Sequence, residues 1–339
     1  MSLLLTHRTL PALFCAAALS GCGGGSPSAP APQPITLPST TPAPPAAPPA
    51  PAALAVSTDA LALAVSGQFR QFVITNVGGQ DALNLVATTT TALPAGTSFT
   101  TDCATLAPGA SCTLTVMPGA LPSAAPADTA PVPVGLGLGG SNTNTVAVSV
   151  WVLDIGSVYQ GGYLFDIDDS TPPTDGIGGK VLALNDARPS MPDMSWGPND
   201  SATLLSLSIT DGAANTAAIV HQYGPPPNAS ATYPAWACDS SNDAGFSDWY
   251  LPAICEMGYD GNGRGSGCGT ASLPALPNVQ SHLMDLGHAA GVPPFSQYWS
   301  SSTAPGVVWA QQFVPGASEH HQDLSGASNG TRCVRALIP

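Results

Sequence analysis

The chain has 339 residues, of which 8% are charged, and its 21 acidic against 7 basic side chains give a net charge of −14. This surplus of negative charge disfavours nucleic acid, heparin-like polyanions and anionic lipid as partners, because each of them is itself negatively charged. Of its eight cysteines, the six from Cys103 onward suit the oxidising exterior of a cell.

Residues 1–21 have the features of a secretory signal. Arg8 gives a short basic start, and the apolar run over residues 10–19 is too short to span a membrane. The sequence Leu19-Ser20-Gly21-Cys22 matches a bacterial lipobox, in which the cysteine becomes the lipidated first residue after cleavage. An ordinary cleaved signal peptide is the alternative. The lipobox predicts a membrane attachment through acyl chains on Cys22, and Gly23 after it, as in sorted lipoproteins, favours the bacterial outer membrane or cell surface.

A tract rich in proline, alanine and serine follows, and it carries no charged residue up to Ala53. Such a composition has too little apolar surface to offset the entropy lost on ordering, and its prolines favour an extended polyproline II conformation. We predict a disordered stalk over residues 22–53.

Residues 54–153 contain short runs of strand-forming residues separated by Gly, Pro, Asn and Asp, which favours an antiparallel β-sandwich. The runs are 61–65, 72–74, 83–86, 112–116 and 146–150. Pro108 and Gly109 suit the central positions of a type II turn, which would bring Cys103 and Cys112 onto neighbouring strands and allow a disulfide. Segments 74–78 and 103–112 resemble the immunoglobulin-like repeats of bacterial surface proteins. We interpret this unit as a spacer, because a fold alone supplies no binding site.

The second unit, residues 155–339, begins with a strand pair joined by a long acidic turn. Its carboxylates belong to Asp166, Asp168, Asp169 and Asp175. We interpret the turn as solvated, and calcium binding is the alternative, because hard cations prefer several oxygen ligands. The sequence Asp260-Gly261-Asn262-Gly263-Arg264-Gly265 begins like an EF-hand loop. Arg264 occupies a ligand position there and no Glu follows at the required distance, so we reject an EF-hand.

Three helical segments are expected in this unit. The alanine-rich residues 211–220 predict a helix that begins at Asp211 or Asn215, and residues 236–238 predict the end of a second one. Pro252 fits the first turn of a third helix that contains Cys255.

Four cysteines in this unit allow three pairings. They are Cys238, Cys255, Cys268 and Cys333. We favour Cys255 with Cys268, which closes a glycine-rich loop, and Cys238 with Cys333, which ties a helical segment to the last strand. A zinc site is the alternative, although neither pair has the Cys-x-x-Cys spacing.

From Tyr298 onward the pattern indicates a strand, a polar loop over residues 314–331 and a closing strand. The loop is rich in glycine and polar side chains, which is typical of a surface that presents hydrogen-bonding groups. The candidate ligand contacts here and on the preceding strands are Ser301, Gln311, Glu319, His320, His321, Gln322, Asp323 and Asn329. A transition-metal site at the two histidines is the alternative, but adjacent side chains of an extended segment point apart.

Several spaced motifs carry a family resemblance. They are Asp248-Trp249-Tyr250-Leu251-Pro252, Tyr298-Trp299-Ser300-Ser301-Ser302, Trp309, Phe313 and Arg332-Cys333-Val334-Arg335. Residues 155–339 thereby resemble the Lcl C-terminal domain family, which is related to the C-type-lectin-like fold. The resemblance implies an α+β domain after the all-β sandwich, with its ligand face in the terminal region. Some C-type-lectin-like relatives are variable targets of diversity-generating retroelements.

The resemblance also assigns structural roles, and it has limits. We expect such roles for Trp249, Glu256, Trp299, Trp309, Arg332 and Arg335. Glycosaminoglycan recognition by the collagen-like adhesin for which the family is named requires a basic surface. Here the matching residues offer only Lys180, Arg188, Arg264, Arg332 and Arg335 against a large acidic excess. The collagen-like repeat is also absent from the sequence.

These features together predict a lipid-anchored surface protein that binds an extracellular protein or glycan, in adhesion or recognition. We expect no cofactor, no resident metal and no enzymatic activity, because the sequence has no glycine-rich phosphate loop before a helix. A structural envelope lipoprotein without a specific ligand is the first alternative. A hydrolase, or a relative of the formylglycine-generating enzymes, is the second, although their reactive cysteine arrangement is not recognisable here.

Overall fold

The computed structural model describes residues 47–187, 194–197, 207–288, 292 and 296–339, and this part of the chain is rich in β-strands. Pro48–Pro339 form one compact unit. The signal segment, Cys22, Arg188 and most of the stalk lie outside the described residues. Each sheet takes its strands from one side of the predicted boundary at residues 153–155, and the division into domains there stays a prediction.

Eight strands up to Leu153 form two four-stranded sheets. They are β1 (Leu54–Val56), β2 (Ala60–Ala64), β3 (Arg70–Asn76), β4 (Val86–Thr89), β5 (Ser98–Thr101), β6 (Ser111–Met117), β7 (Val134–Gly139) and β8 (Val146–Leu153). One sheet has the order β1-β3-β6-β5 and the other β2-β8-β7-β4. Leu63, Phe72, Leu114, Leu136 and Val148 are buried in the core that the two sheets share, as the alternation of apolar residues requires of a sandwich.

Three sequence-based expectations for this region need correction. β2 and β8 run parallel, because the chain leaves the first sheet between β1 and β2 and joins the second sheet beside its last strand. The run 83–86 meets a strand only at Val86, and β4 continues to Thr89. The stalk does not extend to Ala53, since Val77 N donates to Ala53 O and Gly79 N to Ala50 O.

The predicted turn and disulfide of this region are confirmed. Ala110 N donates to Ala107 O at 3.0 Å, and Gly109 has a φ of +77°, as the third position of a type II turn requires. Cys103 and Cys112 are joined in a disulfide.

The rest of the chain contains eleven described strands and three α-helices. The strands are β9 (Val158–Tyr159), β10 (Gly162–Asp168), β11 (Gly178–Ala183), β12 (Met194–Ser195), β13 (Gly269–Thr270), β14 (Leu273–Pro274), β15 (Gln297–Ala304), β16 (Val307–Val314), β17 (Ala317–Asp323), β18 (Ser328–Asn329) and β19 (Val334–Ala336). The helices are α1 (Gly212–Tyr223), α2 (Pro234–Asp239) and α3 (Ile254–Met257). The larger sheets have the orders β19-β11-β10-β9 and β15-β16-β17.

The helices begin where their capping residues allow. The Asp211 carboxylate accepts from Ala214 N at 2.9 Å, which confirms Asp211 as the N-cap of α1. Pro234 opens α2, which ends just after Cys238 as expected. Pro252 lies two residues before α3 rather than inside its first turn. Ala253 is the N-cap there, because its N–H is bound by the Glu256 side chain from the same turn.

The acidic turn after β10 is bound to the sandwich, so its interpretation as a solvated surface is wrong at Asp169. The Arg70 guanidinium, fully buried, donates to Asp169 Oδ1 at 2.6 Å and to Thr171 O and Pro172 O at 2.8 and 2.9 Å. Gln68 N donates to Asp169 Oδ2 at 2.6 Å. A buried cation needs such partners, and the turn after β10 supplies them to Arg70 of the sandwich.

The two favoured disulfides of the second region are both confirmed. Cys238 is joined to Cys333 over 95 residues and Cys255 to Cys268 over 13. The first ties α2 to the segment that leads into β19, and the second closes the loop after α3. Because all four sulfurs are bonded in pairs, the alternative of a zinc site at these cysteines is wrong.

Candidate functional site

The sheet β15-β16-β17 contains most of the residues that the sequence nominated for ligand binding. The prediction of a surface loop over residues 314–331 is wrong for its first half, because Ala317–Asp323 form strand β17, paired with β16 from Val314↔Ala317 to Val308↔Asp323. Pro315 and Gly316 make the two-residue turn between the strands, and Gly316 has a φ of +78°. A turn pair between two strand-like runs was the available signal.

Pairing in a strand sends the candidate residues to opposite faces. Four of them are buried, so their assignment as direct ligand contacts is wrong: Ser301, Gln311, His320 and Asn329. The two adjacent histidines point apart, as expected of an extended segment, so a metal site that uses both is also wrong.

His320 is held inside by the loop that the Cys255–Cys268 disulfide closes. Its Nδ1 lies 2.7 Å from Ser266 Oγ. The Asn262 side chain donates to His320 O at 2.9 Å and accepts from His320 N at 3.2 Å, so it occupies the free edge of β17 as a neighbouring strand would. Burial lowers the pKa of His320 to about 4, although Asp260 acts in the opposite direction. The imidazole is therefore neutral at physiological pH.

The same loop explains why the EF-hand-like sequence is not a calcium loop. The Asp260 carboxylate accepts hydrogen bonds from Arg264 N, Gly265 N and Ser266 N at 2.8, 2.7 and 3.2 Å. Its oxygens thus stabilise the loop backbone.

One side of the sheet carries a cluster of half-exposed polar side chains next to the buried Trp299, Val308 and Ala310, and we call this cluster the polar face. Its members are Gln297, Gln312, Glu319, His321 and Asp323. The register places Gln312 between Gln297 and Glu319, with His321 and Asp323 further along β17. His321 Nε2 lies 3.1 Å from Gln312 Oε1 and 3.7 Å from Glu319 Oε2. Gln322 is exposed but projects from the other side of the strand.

Glu256 has the structural role that was expected of it. It is buried, and its Oε1 accepts from Lys180 Nζ at 2.6 Å and from the Tyr250 hydroxyl at 3.0 Å. Its Oε2 accepts from Ala253 N at 2.8 Å and Gly212 N at 3.2 Å. These partners satisfy the buried carboxylate and join β11, α1 and α3.

The two terminal arginines pair with carboxylates, as expected. Arg335 is bidentate to Asp248, with Nε–Oδ1 and Nη2–Oδ2 distances of 2.6 and 2.9 Å, and its guanidinium lies 3.9 Å from the centre of the Phe246 ring. Arg332 Nη1 donates to Asp186 Oδ1 at 2.9 Å. The tryptophans to which the sequence gave a core role, Trp249, Trp299 and Trp309, are all buried.

Comparison with known proteins finds only weak structural similarities. No protein-family model and no curated protein matches this chain. Domains 4 and 5 of the S-layer protein SbsC align at 18% identity and a TM-score of 0.24, over 32% of this chain and 54% of that one. Domains 5–6 of SbsC align at 19% identity and a TM-score of 0.24, over 47% and 75%. The secreted serine protease VesC from Vibrio cholerae aligns at 13% identity and a TM-score of 0.23, over 43% and 35%.

This chain thus spans about half the length of the first of these structures, and scores so low carry no argument about fold or function. Within the described ranges, no helix is long and apolar enough to cross a membrane.

Proposed function

We propose that this protein is a lipid-anchored bacterial surface protein whose C-terminal region, with a C-type-lectin-like α+β fold, binds an extracellular ligand through the polar face. The observation that carries the proposal is the arrangement of Glu319, His321 and Asp323, half exposed in one file along β17. Two carboxylates and one imidazole are thereby presented in fixed register.

The polar face rests on a rigid support, which lowers the entropy lost on binding. β17 is bonded along its length to β16 on one edge and by Asn262 on the other. Phe313 is buried on the opposite side of the sheet, and the buried Trp299 lies on the same side as the polar face, where Ala310 separates it from His321. Substitutions on the outward positions therefore change the ligand contacts without changing the core.

Charge narrows the class of ligand. Glu319 and Asp323 make the polar face acidic, and the whole chain carries a net charge of −14. A neutral or positively charged surface of an extracellular protein or glycan fits this face, while sulfated or phosphorylated polyanions do not.

A binding protein without enzymatic activity fits the chemistry of the cysteines. The six described cysteines are all in disulfides, so none of them offers the reactive thiol that a formylglycine-generating-enzyme-like reaction needs. The lipobox at Cys22 and the proline-rich stalk would place the folded part away from the membrane.

The test replaces Glu319, His321 and Asp323 with Ala in the full chain, and leaves the buried His320 in place. The control replaces Asp81, Asp128 and His221 with Ala, which likewise removes two carboxylates and one imidazole, but from exposed positions elsewhere. Both proteins, carrying Cys22→Ser to keep them free of lipid, are applied to arrays of glycans and extracellular-matrix proteins.

We expect the first variant to lose the binding that the parent and the control retain, with a stability change within about 0.5 kcal/mol per residue. Equal binding by both variants would place the ligand elsewhere, and an array without any bound component would favour a structural envelope protein. The anchor is tested separately, since membrane-bound, acylated protein in the Cys22→Ser variant contradicts the lipobox assignment.

A further inference from the structure

Strand β2 belongs to the core of the sandwich and also to that of the C-terminal region, residues 155–339. Leu61 and Leu63 are buried in the core of the sandwich. Ala62 and Ala64, which alternate with them, are buried in the core that contains Trp299. The outer face of a sandwich sheet commonly faces water. Here the C-terminal region covers that face at β2, so both faces of the strand are buried from Leu61 to Ala64.

The covering extends over one end of the sheet only. Trp151 of β8, which pairs with Ala62, packs against the same core, and its ring centre lies 5.7 Å from that of Tyr159. Ala147 lies on the same face of β8, two alternations before Trp151, and is exposed. The contact between the two regions is therefore a defined patch on the outer face of the sandwich.

The acidic turn between β10 and β11, residues 169–177, adds backbone hydrogen bonds to those of the buried guanidinium described above. Gln71 N donates to Pro173 O at 2.7 Å, and Ile177 N donates to Ala62 O at 3.1 Å. Gln71 belongs to β3 and Ala62 to β2, so the turn is bonded to both sheets of the sandwich. Apolar burial and hydrogen bonding thus hold the two regions together at the same place.

We infer that the sandwich and the C-terminal region unfold as one cooperative unit, so that the sandwich is a fixed mount for the polar face and not a spacer that folds independently. Unfolding of either region alone would expose Ala62 and Ala64 and would remove the partners of Arg70. Each region would lose part of its own interior in that step, which couples the two openings. The predicted boundary at residues 153–155 thus separates the sheets but does not separate two folding units.

The test compares one substitution at two positions of the same sheet face, in the full chain with Cys22→Ser. Ala62→Asp places a carboxylate in the shared core, and Ala147→Asp is the matched control at an exposed position. Hydrogen exchange followed by mass spectrometry, in the regime where the rate reports the opening equilibrium, measures the slowest amides of β3, β6, β15 and β16. We expect exchange about tenfold faster or more in all four strands of Ala62→Asp, and a change of less than about twofold in the control.

Arg70→Lys is the milder variant, and it decides the question if Ala62→Asp does not fold. Lysine keeps the charge but lacks the planar array of donors with which Arg70 binds Asp169 Oδ1, Thr171 O and Pro172 O. We expect exchange about threefold faster or more in the same four strands.

An equal increase on both sides of residue 153 supports one cooperative unit. The inference is overturned by faster exchange confined to β3 and β6 or confined to β15 and β16. It is also overturned by unchanged exchange in all four strands, or by an equal increase in the Ala147→Asp control. Exchange is measured without a ligand, so this result does not depend on the ligand arrays that test the proposed function.

Discussion

The sandwich and the region after it solve the problem of stability in different ways. Among the described residues up to Leu153, two polar side chains are buried, Arg70 and Asn76. The rest of the core of the sandwich is apolar. Beyond it, the interior contains many buried polar side chains, among them Asn215, Glu256, Gln280, Ser300, Ser301, Ser302, Gln311, His320, Arg332 and Arg335. The first region depends on backbone pairing and apolar area, and the second depends on individual side chains that satisfy one another.

This difference has a consequence for function. A buried polar network positions its members more strictly than an apolar core does, because each unpaired group is costly. The polar face lies on the region that is built this way. The sandwich, with no comparable network, suits the role of a spacer that was predicted for it.

The largest expected contrast between the two regions lies in their disulfides. Cys238→Ser/Cys333→Ser opens a closure of 95 residues, and Cys103→Ser/Cys112→Ser opens one of 9. The chain-entropy relation gives losses of about 5 and about 3 kcal/mol in the free energy of unfolding. Urea unfolding followed by tryptophan fluorescence measures both, and a larger loss from the shorter closure would contradict the order.

The next contrast concerns aromatic side chains. Trp299→Ala should lower the free energy of unfolding by about 3–5 kcal/mol, because a fully buried ring leaves a cavity. Phe72→Ala in the sandwich removes a ring of similar burial. We expect Trp299→Ala to cost more, since the Trp299 indole also donates to Met194 O at 2.6 Å and its loss leaves that carbonyl without this partner. Equal losses in urea unfolding would mean that the hydrogen bond contributes little.

A third prediction uses the neutral histidine beneath β17. Burial lowers the pKa of His320 from 6.5 to about 4, so the unfolded chain binds this proton more readily than the folded chain. The contribution to stability is present above about pH 6.5 and is lost as the pH falls through 4. The free energy of unfolding decreases by about 3 kcal/mol in total. His320→Gln should remove this part of the pH dependence, while His221→Gln, at an exposed position, should preserve it. The measurement is the free energy of unfolding at pH 7 and at pH 4.5. An identical decrease between these pH values in the parent and in His320→Gln would refute the lowered pKa of His320.

The success of prediction from the sequence also differs between the sandwich and the region after it. Short runs of strand-forming residues locate β2, β3, β6 and β8, and Pro108-Gly109 locates the turn at the disulfide, because these signals are local; β1, β5 and β7 were not predicted. The cysteine pairs, the N-cap at Asp211 and the buried tryptophans of the second region were also predicted correctly. Strand β17 was not, since its alternation uses Ser318 and His320 as inward residues, and polar side chains on both faces look like a loop.

The partners that bury those polar groups are remote in the sequence. Asn262 and Ser266 reach His320 across more than fifty residues, and Arg70 reaches Asp169 across 99. No periodicity or spacing rule encodes such pairs.

The smallest predicted effect tests the edge of β17 itself. Asn262→Ala removes both hydrogen bonds to the His320 backbone, at 2.9 and 3.2 Å, and should lower the free energy of unfolding by about 1 kcal/mol, since the freed groups gain water as a partner. Asn262→Asp should also lower stability, because a carboxylate accepts from His320 N but has no hydrogen to donate to His320 O. Asn242→Ala, which removes an asparagine without such bonds, is the control and should change stability by less than about 0.5 kcal/mol. Amide hydrogen exchange gives the local readout, with faster exchange at His320 expected in Asn262→Ala and retained protection in Asn262→Asp, whose carboxylate still accepts from His320 N. Unchanged exchange at the His320 amide in Asn262→Ala would show that Asn262 does not protect the edge of β17. That edge would then be open to pairing with another chain.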